Sequence, residues 1–318
     1  MRSRAFIDRC TITIPVLSKH WSIADDKLSV LFQTDSRFTE LAIGNVSLRM
    51  KIYLVSVRFS LHDTRLNRGF YIEALPLIGG VNYMRIDWNP RNASKSDLLE
   101  LLRVLSLNIP EFAGAIRQAM LTRVDIAFDI SLPITSFYIL TKSAATQTKK
   151  FMQTNGVDNY YLGGAKSPHK MVCYDKNIER YGGNMLRTSA GILRILRHKT
   201  RCELRLSRAG KISEITEFRN ELKRYIFSDN QKIRTIRGSW KWNRFIERCA
   251  AIGAQLALRI DLSQKDRSLY RRIMKSCEPN WYCENTIWAE AMSQLLTIFD
   301  EQILLMPEPA PALRFLAI

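Results

Sequence analysis

Apolar and polar residues alternate with a period of two along much of the first two thirds of the chain, and the remainder turns to helical spacing. The alternating stretches predict strands over Cys10–Pro15, Lys51–Ser60, Gly69–Leu75 and Asn82–Trp88, with turns at Asn67-Arg-Gly and Gly79-Gly80. Further strands follow over Leu121–Ile130, Asn159–Leu162, Lys170–Asp175 and Thr200–Ser207. Helices are expected over Ile23–Phe32, from Ser94 onward where leucines recur at helical spacing, and over Ser136–Ala145 and Ile212–Tyr225.

Each half thus runs strand, helix, three strands, helix, with Arg85-Ile-Asp87 in one fifth element and Arg201-Cys-Glu203 in the other. The fold class this predicts is α+β, two similar antiparallel-sheet units related by a degenerate duplication and followed by a helical C-terminal segment. Chance similarity of two α+β units reads nearly as well. The segments are 1–118, 119–228 and 229–318, with helices over Lys241–Leu258, Lys265–Cys277 and Thr286–Leu305 and a Pro-rich tail from Pro307.

Charge changes the picture most. Lys and Arg number 48 against 30 Asp and Glu, a formal net charge of +18, and such an excess calls for an anionic partner, nucleic acid before a membrane surface. No run is apolar and long enough to span a bilayer, and Met1-Arg-Ser-Arg is not followed by the apolar core of a signal peptide. The six cysteines lack CxxC spacing or a disulfide rhythm and read as buried thiols in a reducing compartment. The four histidines stand apart, which disfavours a histidine-bound metal; His169 is expected at the surface.

Period two also sorts the polar residues onto strand faces. It sends Val124, Ile126, Phe128 and Ile130 to the core and Arg123, Asp125 and Asp129 to the other side; it divides Cys202, Leu204 and Leu206 from Arg201, Glu203 and Arg205. Val172, Tyr174 and Lys176 share one face of their strand. If these strands are neighbours, one face gathers two carboxylates, a tyrosine and a lysine framed by arginines. Carboxylate oxygens suit Mg²⁺ or Mn²⁺, and a tyrosine becomes a nucleophile where its proton, pKa ~10 when free, is removed or weakened. Salt bridges on a solvated sheet face account for the same residues more blandly.

The ordered set Arg123-Val-Asp125-Ile-Ala-Phe-Asp129, Tyr161-Leu-Gly163-Gly-Ala-Lys166-Ser167, Tyr174-Asp-Lys176-Asn-Ile-Glu179 and Arg201-Cys-Glu203-Leu-Arg205 resembles the replication initiation factor family of phages and plasmids, rolling-circle initiators that share a domain with relaxases of integrative elements. Met84-Arg-Ile-Asp87-Trp-Asn89-Pro90 is also similar. The resemblance implies that Tyr174 attacks one DNA strand at an origin, forms a 5′-phosphotyrosyl link and leaves a 3′-hydroxyl. It implies that Asp125 and Glu203 hold a divalent metal, with Asp129 as a further ligand or supporting group, and that Lys176 and Glu179 assist. Where the family often has an arginine, this chain has Lys166, which keeps the charge without the bidentate fork.

DNA contacts are expected from Arg123, Lys166, Ser167, Lys170, Arg201 and Arg205, and from Trp240 and Lys241, where Lys/Arg and tryptophan interleave as for phosphate contact with base stacking. The same tryptophans would equally anchor a helix to the body. The expected partners are origin DNA, a second copy of the chain and a host helicase, in the bacterial cytoplasm. A relaxase serving conjugative mobilisation and a non-cutting DNA-binding regulator are the alternatives.

Overall fold

The computed structural model describes residues 2–16, 30–40, 53–60, 69–76, 83–142, 148–152, 158–164, 166–176 and 199–307. The helix expected at Ile23–Phe32 lies largely outside them, with helix at 30–34. By contacts the chain forms two units, a first of Ile7–Asp125, Ser207–Phe218 and the chain from Met292, and a second of Met1–Phe6, Ile126–Leu206 and Arg219–Ala291. Each is a mixed α+β body built on antiparallel strands.

In the first unit, β1 (Phe6–Pro15), β2 (Phe38–Glu40), β3 (Tyr53–Phe59), β4 (Phe70–Pro76) and β5 (Tyr83–Trp88) lie in the order β1-β5-β4-β3-β2. Alternation sends Ile12, Ile14, Phe59, Phe70, Ile72 and Ile86 into the core. Ring contacts run through it from Phe38–Phe59 (4.9 Å) to Phe70–Trp88 (5.6 Å) and Trp88–Phe299 (6.0 Å). On the other face, Arg85 bridges Glu73 (2.6 Å) and Asp87 (3.1 Å), and Arg9 reaches Asp87 at 2.7 Å. Helix α1 (Lys95–Asn108) starts where the leucine spacing predicts, with Ser94 and Asp97 forming a capping box and Leu98, Leu101, Leu102 and Leu105 buried; α2 (Phe112–Arg117) follows.

Strand β6 (Met120–Ile130) contributes its first half to the first unit and its second to the other. The expected helix at Ser136–Ala145 is instead a strand, β7 (Phe137–Thr141), because Phe-Tyr-Ile-Leu-Thr is a continuous β-prone run buried on both faces. β8 (Thr148–Met152), β9 (Asp158–Leu162), β10 (His169–Asp175) and β11 (Thr200–Lys211) follow. The expected helix at Ile212–Tyr225 is two 3₁₀ turns, the second capped by Asn220, leading into β12 (Tyr225–Asp229), which pairs with β7. Its β-branched isoleucines and threonine hold helix weakly.

The second unit's main strands take the order β6-β11-β10-β9-β8. In each unit the earliest strand lies beside the latest of its main strands and the rest fold back in reverse, so the two units share a strand order while the elements between the strands differ. Gly69 before β4 and Gly163 after β9 both have φ +125, and a Cβ would overlap the Phe59 carbonyl oxygen at the first and stand 2.8 Å from that of His169 at the second.

The later helices are α3 (Asn230–Thr235), α4 (Trp240–Ile252), α5 (Ala254–Asp261), α6 (Gln264–Ser276), α7 (Glu284–Ile298) and α8 (Glu301–Leu304). Gly253, at φ +85, breaks the helix expected over Lys241–Leu258, and the one expected over Thr286–Leu305 restarts at the Asp300 cap. Trp242, Phe245 and Cys249 of α4 pack with Leu258, Tyr270 and Met274 against Tyr138, Leu140 and Ile226 of the β7–β12 pair. Helices α4, α5 and α6 therefore belong to the second unit's body, whereas α8 falls in the first. Five of the six cysteines are buried; Cys283 is exposed, contrary to expectation. No helix among the described residues is long and apolar enough to cross a membrane.

Candidate active site

Register builds the site. On β10 and β11, Lys170 faces Arg205, Val172 faces Glu203 and Tyr174 faces Arg201, so all six share one side of the sheet. Glu203 is the diagonal neighbour of Tyr174, within reach of an aromatic side chain. The Tyr174 hydroxyl donates to Glu203 Oε1. Glu203 is 3% exposed, and its other oxygen takes both arms of Arg205, Nε at 3.1 Å and Nη2 at 2.7 Å. Tyr174 is only half-buried, and the Lys176 ammonium stands 5.5 Å from its ring centre.

A second charged group adjoins this one. Arg201, 4% exposed, forks onto Asp129 at 2.7 and 3.1 Å and lies over the Phe6 ring at 4.9 Å; Lys199 reaches Asp129 at 3.1 Å. Burial pushes the Asp129 carboxyl up, but Arg201 and Lys199 together outweigh it and hold the group below the ordinary carboxylate value. Among the described residues of β6, β10 and β11 in this unit, and Lys199 just before β11, the face carries five cations (Lys170, Lys176, Lys199, Arg201, Arg205) against two carboxylates (Asp129, Glu203), a surplus suited to a phosphate backbone.

The expected site residues divide. Tyr174, Lys176, Glu203, Arg201, Arg205, Lys170 and Asp129 come together in the second unit. Asp125, 4% exposed, is the first unit's last residue before Ile126, with Arg123 forked on it at 2.9 and 2.6 Å. Lys166 is exposed on the β9–β10 turn, whereas Ser167 turns inward and donates to the His169 carbonyl at 2.7 Å. Glu179 lies outside the described residues. His169 is half-buried beside Glu221 (3.6 Å), not at the surface as expected; burial lowers its pKa despite that carboxylate.

The two tryptophans of α4 part company. Trp242 is buried in the helical core, 5.1 Å from the Tyr270 ring, while Trp240 is 66% exposed, with Arg244 5.9 Å over its ring and Lys241 exposed alongside. Neither the Arg201–Asp129 fork nor the part of Lys199 was foreseen, because both depend on which strands are neighbours. The in-strand pairs Arg123–Asp125 and Glu203–Arg205 are the part that spacing alone could have found, since residues two apart share a face.

As arranged, these residues are not a ready metal cradle. Among the described residues no three His, Cys, Asp or Glu side chains converge as a metal-holding group, and Asp125, Asp129 and Glu203 are each held by an arginine.

No family model and no curated protein matches the chain. Among solved structures it is similar to a rolling circle replication initiator protein from Geobacillus stearothermophilus, at 13% identity and a TM-score of 0.38, over 79% of this chain and 98% of that one.

Proposed function

We propose that the chain is a rolling-circle replication initiator that nicks one DNA strand through Tyr174. The observation that carries this reading is the half-buried phenol whose proton already points at a buried carboxylate, on a sheet face rich in cations. The resemblance of its ordered motifs to those of the replication initiation factor family supports it.

In the chemistry proposed, the Tyr174 oxygen attacks phosphorus as its proton passes to Glu203, which Arg205 holds in place. The Tyr174–phosphorus bond forms, the bond from phosphorus to the 3′-oxygen breaks, and that oxygen leaves as a hydroxyl after taking a proton from solvent. Lys170, Lys176 and Arg201 offset the charge that develops on the phosphate. In the first unit the matched position is not a tyrosine: with Arg85 matched to Arg201, the residue opposite is Glu73 where the second unit has Tyr174. Lys166 on its turn, Arg123, and Trp240 with Lys241 on α4 are proposed to grip the strand.

Changing Tyr174 to Phe should abolish covalent protein–DNA adducts while binding to origin DNA stays within about threefold, because one hydroxyl is small beside the electrostatic grip. Adducts that persist in Tyr174→Phe remove this residue from the chemistry. A divalent ion, Mg²⁺ or Mn²⁺, is a further proposal taken from the resemblance: within the second unit Asp129 and Glu203 would hold it only in a state where Arg201 and Arg205 have moved aside, and there it would polarise the phosphodiester in place of the proton transfer to Glu203. EDTA should then stop nicking and Mn²⁺ restore it, and nicking unchanged in EDTA refutes the ion. The arginine forks on Asp125, Asp129 and Glu203 favour one competing reading, a DNA-binding regulator that does not cut, for which no nick appears under any of these conditions. A relaxase would use the same chemistry for mobilisation.

A further inference from the structure

Behind Tyr174, on the opposite side of the same strand pair, Cys173 faces Cys202 directly in the β10–β11 register. The ladder fixes how close they stand. Lys176 N–H donates to the Lys199 carbonyl at 2.7 Å, which makes Lys176 and Lys199 a hydrogen-bonded pair. Pairs alternate along an antiparallel ladder, so Cys173 and Cys202, three steps on, are a non-hydrogen-bonded pair. At such pairs the Cα atoms are about 4.5 Å apart, within the ~4.4–6.8 Å that a disulfide bridges without moving the backbone. Both residues are 0% exposed, so the two thiols face each other inside the protein.

We infer that Cys173 and Cys202 form a redox-sensitive staple, a cross-strand disulfide that closes under a hydroperoxide and pins the two strands carrying Tyr174 and Glu203. The step balances: two S–H bonds break, one S–S bond forms, and hydrogen peroxide accepts the two electrons and two protons to give two waters. Burial makes closure slow, since peroxide enters only when the strands part, and shields the closed bond from reductants. The Tyr174–Glu203 contact runs diagonally across this ladder, so a covalent cross-link at Cys173–Cys202 removes the freedom of β10 and β11 to shift as the phenol leaves its carboxylate for phosphorus, and slows cleavage. That last consequence rests on the nickase reading; the bond itself does not.

The test treats the full chain with hydrogen peroxide, blocks free thiols and maps peptides by mass. A Cys173–Cys202 linked peptide two hydrogens lighter is expected, reversed by dithiothreitol and absent from Cys202→Ala, with a melting temperature raised by about 5 °C or more in the oxidised protein. Nicking should fall at least fivefold on oxidation and recover on reduction, with no such response in Cys202→Ala; Cys173→Ala serves if that variant does not fold. Recovery of both cysteines as free thiols, or linked to other cysteines, overturns the staple. A linked peptide with unaltered nicking overturns its control of cleavage. Should the reduced protein not nick at all, the nickase reading has failed, and the peptide map still decides the staple.

Discussion

Replacing Glu203 with Gln isolates its proposed part in deprotonating Tyr174, because the amide keeps the shape and can still accept the phenol's hydrogen bond but cannot take its proton. The stability cost is worked from its surroundings. Glu203's side chain is 4% exposed and loses its charge opposite Arg205, a charge-assisted pair of the kind that contributes about 1.5–3 kcal/mol. Arg205 is 32% exposed and can turn toward water, which places the loss near the low end, about 1.5 kcal/mol. For a cooperative unit of roughly 150–250 residues that lowers Tm by about 3–6 °C, so the variant should remain folded at 25 °C. Loss of a positioned base slows proton transfer by about 10²–10⁴-fold. Nicking of a labelled single-stranded origin oligonucleotide, followed by gel from pH 7 to 9, should therefore fall at least 100-fold at neutral pH. It should also climb with pH in the variant, as solvent removes the phenol's proton, with a far steeper slope than in the unaltered protein. A rate within threefold of the unaltered protein at pH 7, or no steeper pH dependence, refutes Glu203 as the proton acceptor.

The tryptophans of α4 give a paired test. Trp240→Ala should weaken single-stranded DNA binding by about 1–3 kcal/mol with little change in Tm, whereas Trp242→Ala should cost about 3–5 kcal/mol of stability; an unchanged affinity in the first removes the stacking platform. Asp129→Asn strands the buried Arg201 and should destabilise by about 3–5 kcal/mol, read by urea melts. Because Asp129's folded pKa is depressed, its contribution is present above the unfolded carboxylate value of ~3.9 and is lost as pH falls through the lower folded value; the variant's stability should lack that acid-side component, and melts in which both proteins decline alike below about pH 4 contradict it.

Where the chain carries strict alternation, the fold was legible: the strands at Cys10, Asn82, Leu121, Lys170 and Thr200 all form, and Ser94 caps the helix that follows it. Period two also put Arg201, Glu203 and Arg205 on one face of their strand and Tyr174 with Lys176 on one face of theirs, since facing is a local property of a strand; the β10–β11 register is what joined the two faces. Helix expectations failed at Phe137–Thr141 and Ile212–Tyr225, where apolar spacing alone does not separate a doubly buried strand or a 3₁₀ turn from a helix.

Local sequence, then, settled which residues point the same way, because side-chain direction repeats every two positions along an extended backbone. Tertiary pairing settled which of them touch. The approach of Tyr174 to Glu203, the fork of Arg201 on Asp129 and the thiol pair at Cys173 and Cys202 all depend on strand order and register, and those are set by contacts between residues tens of positions apart.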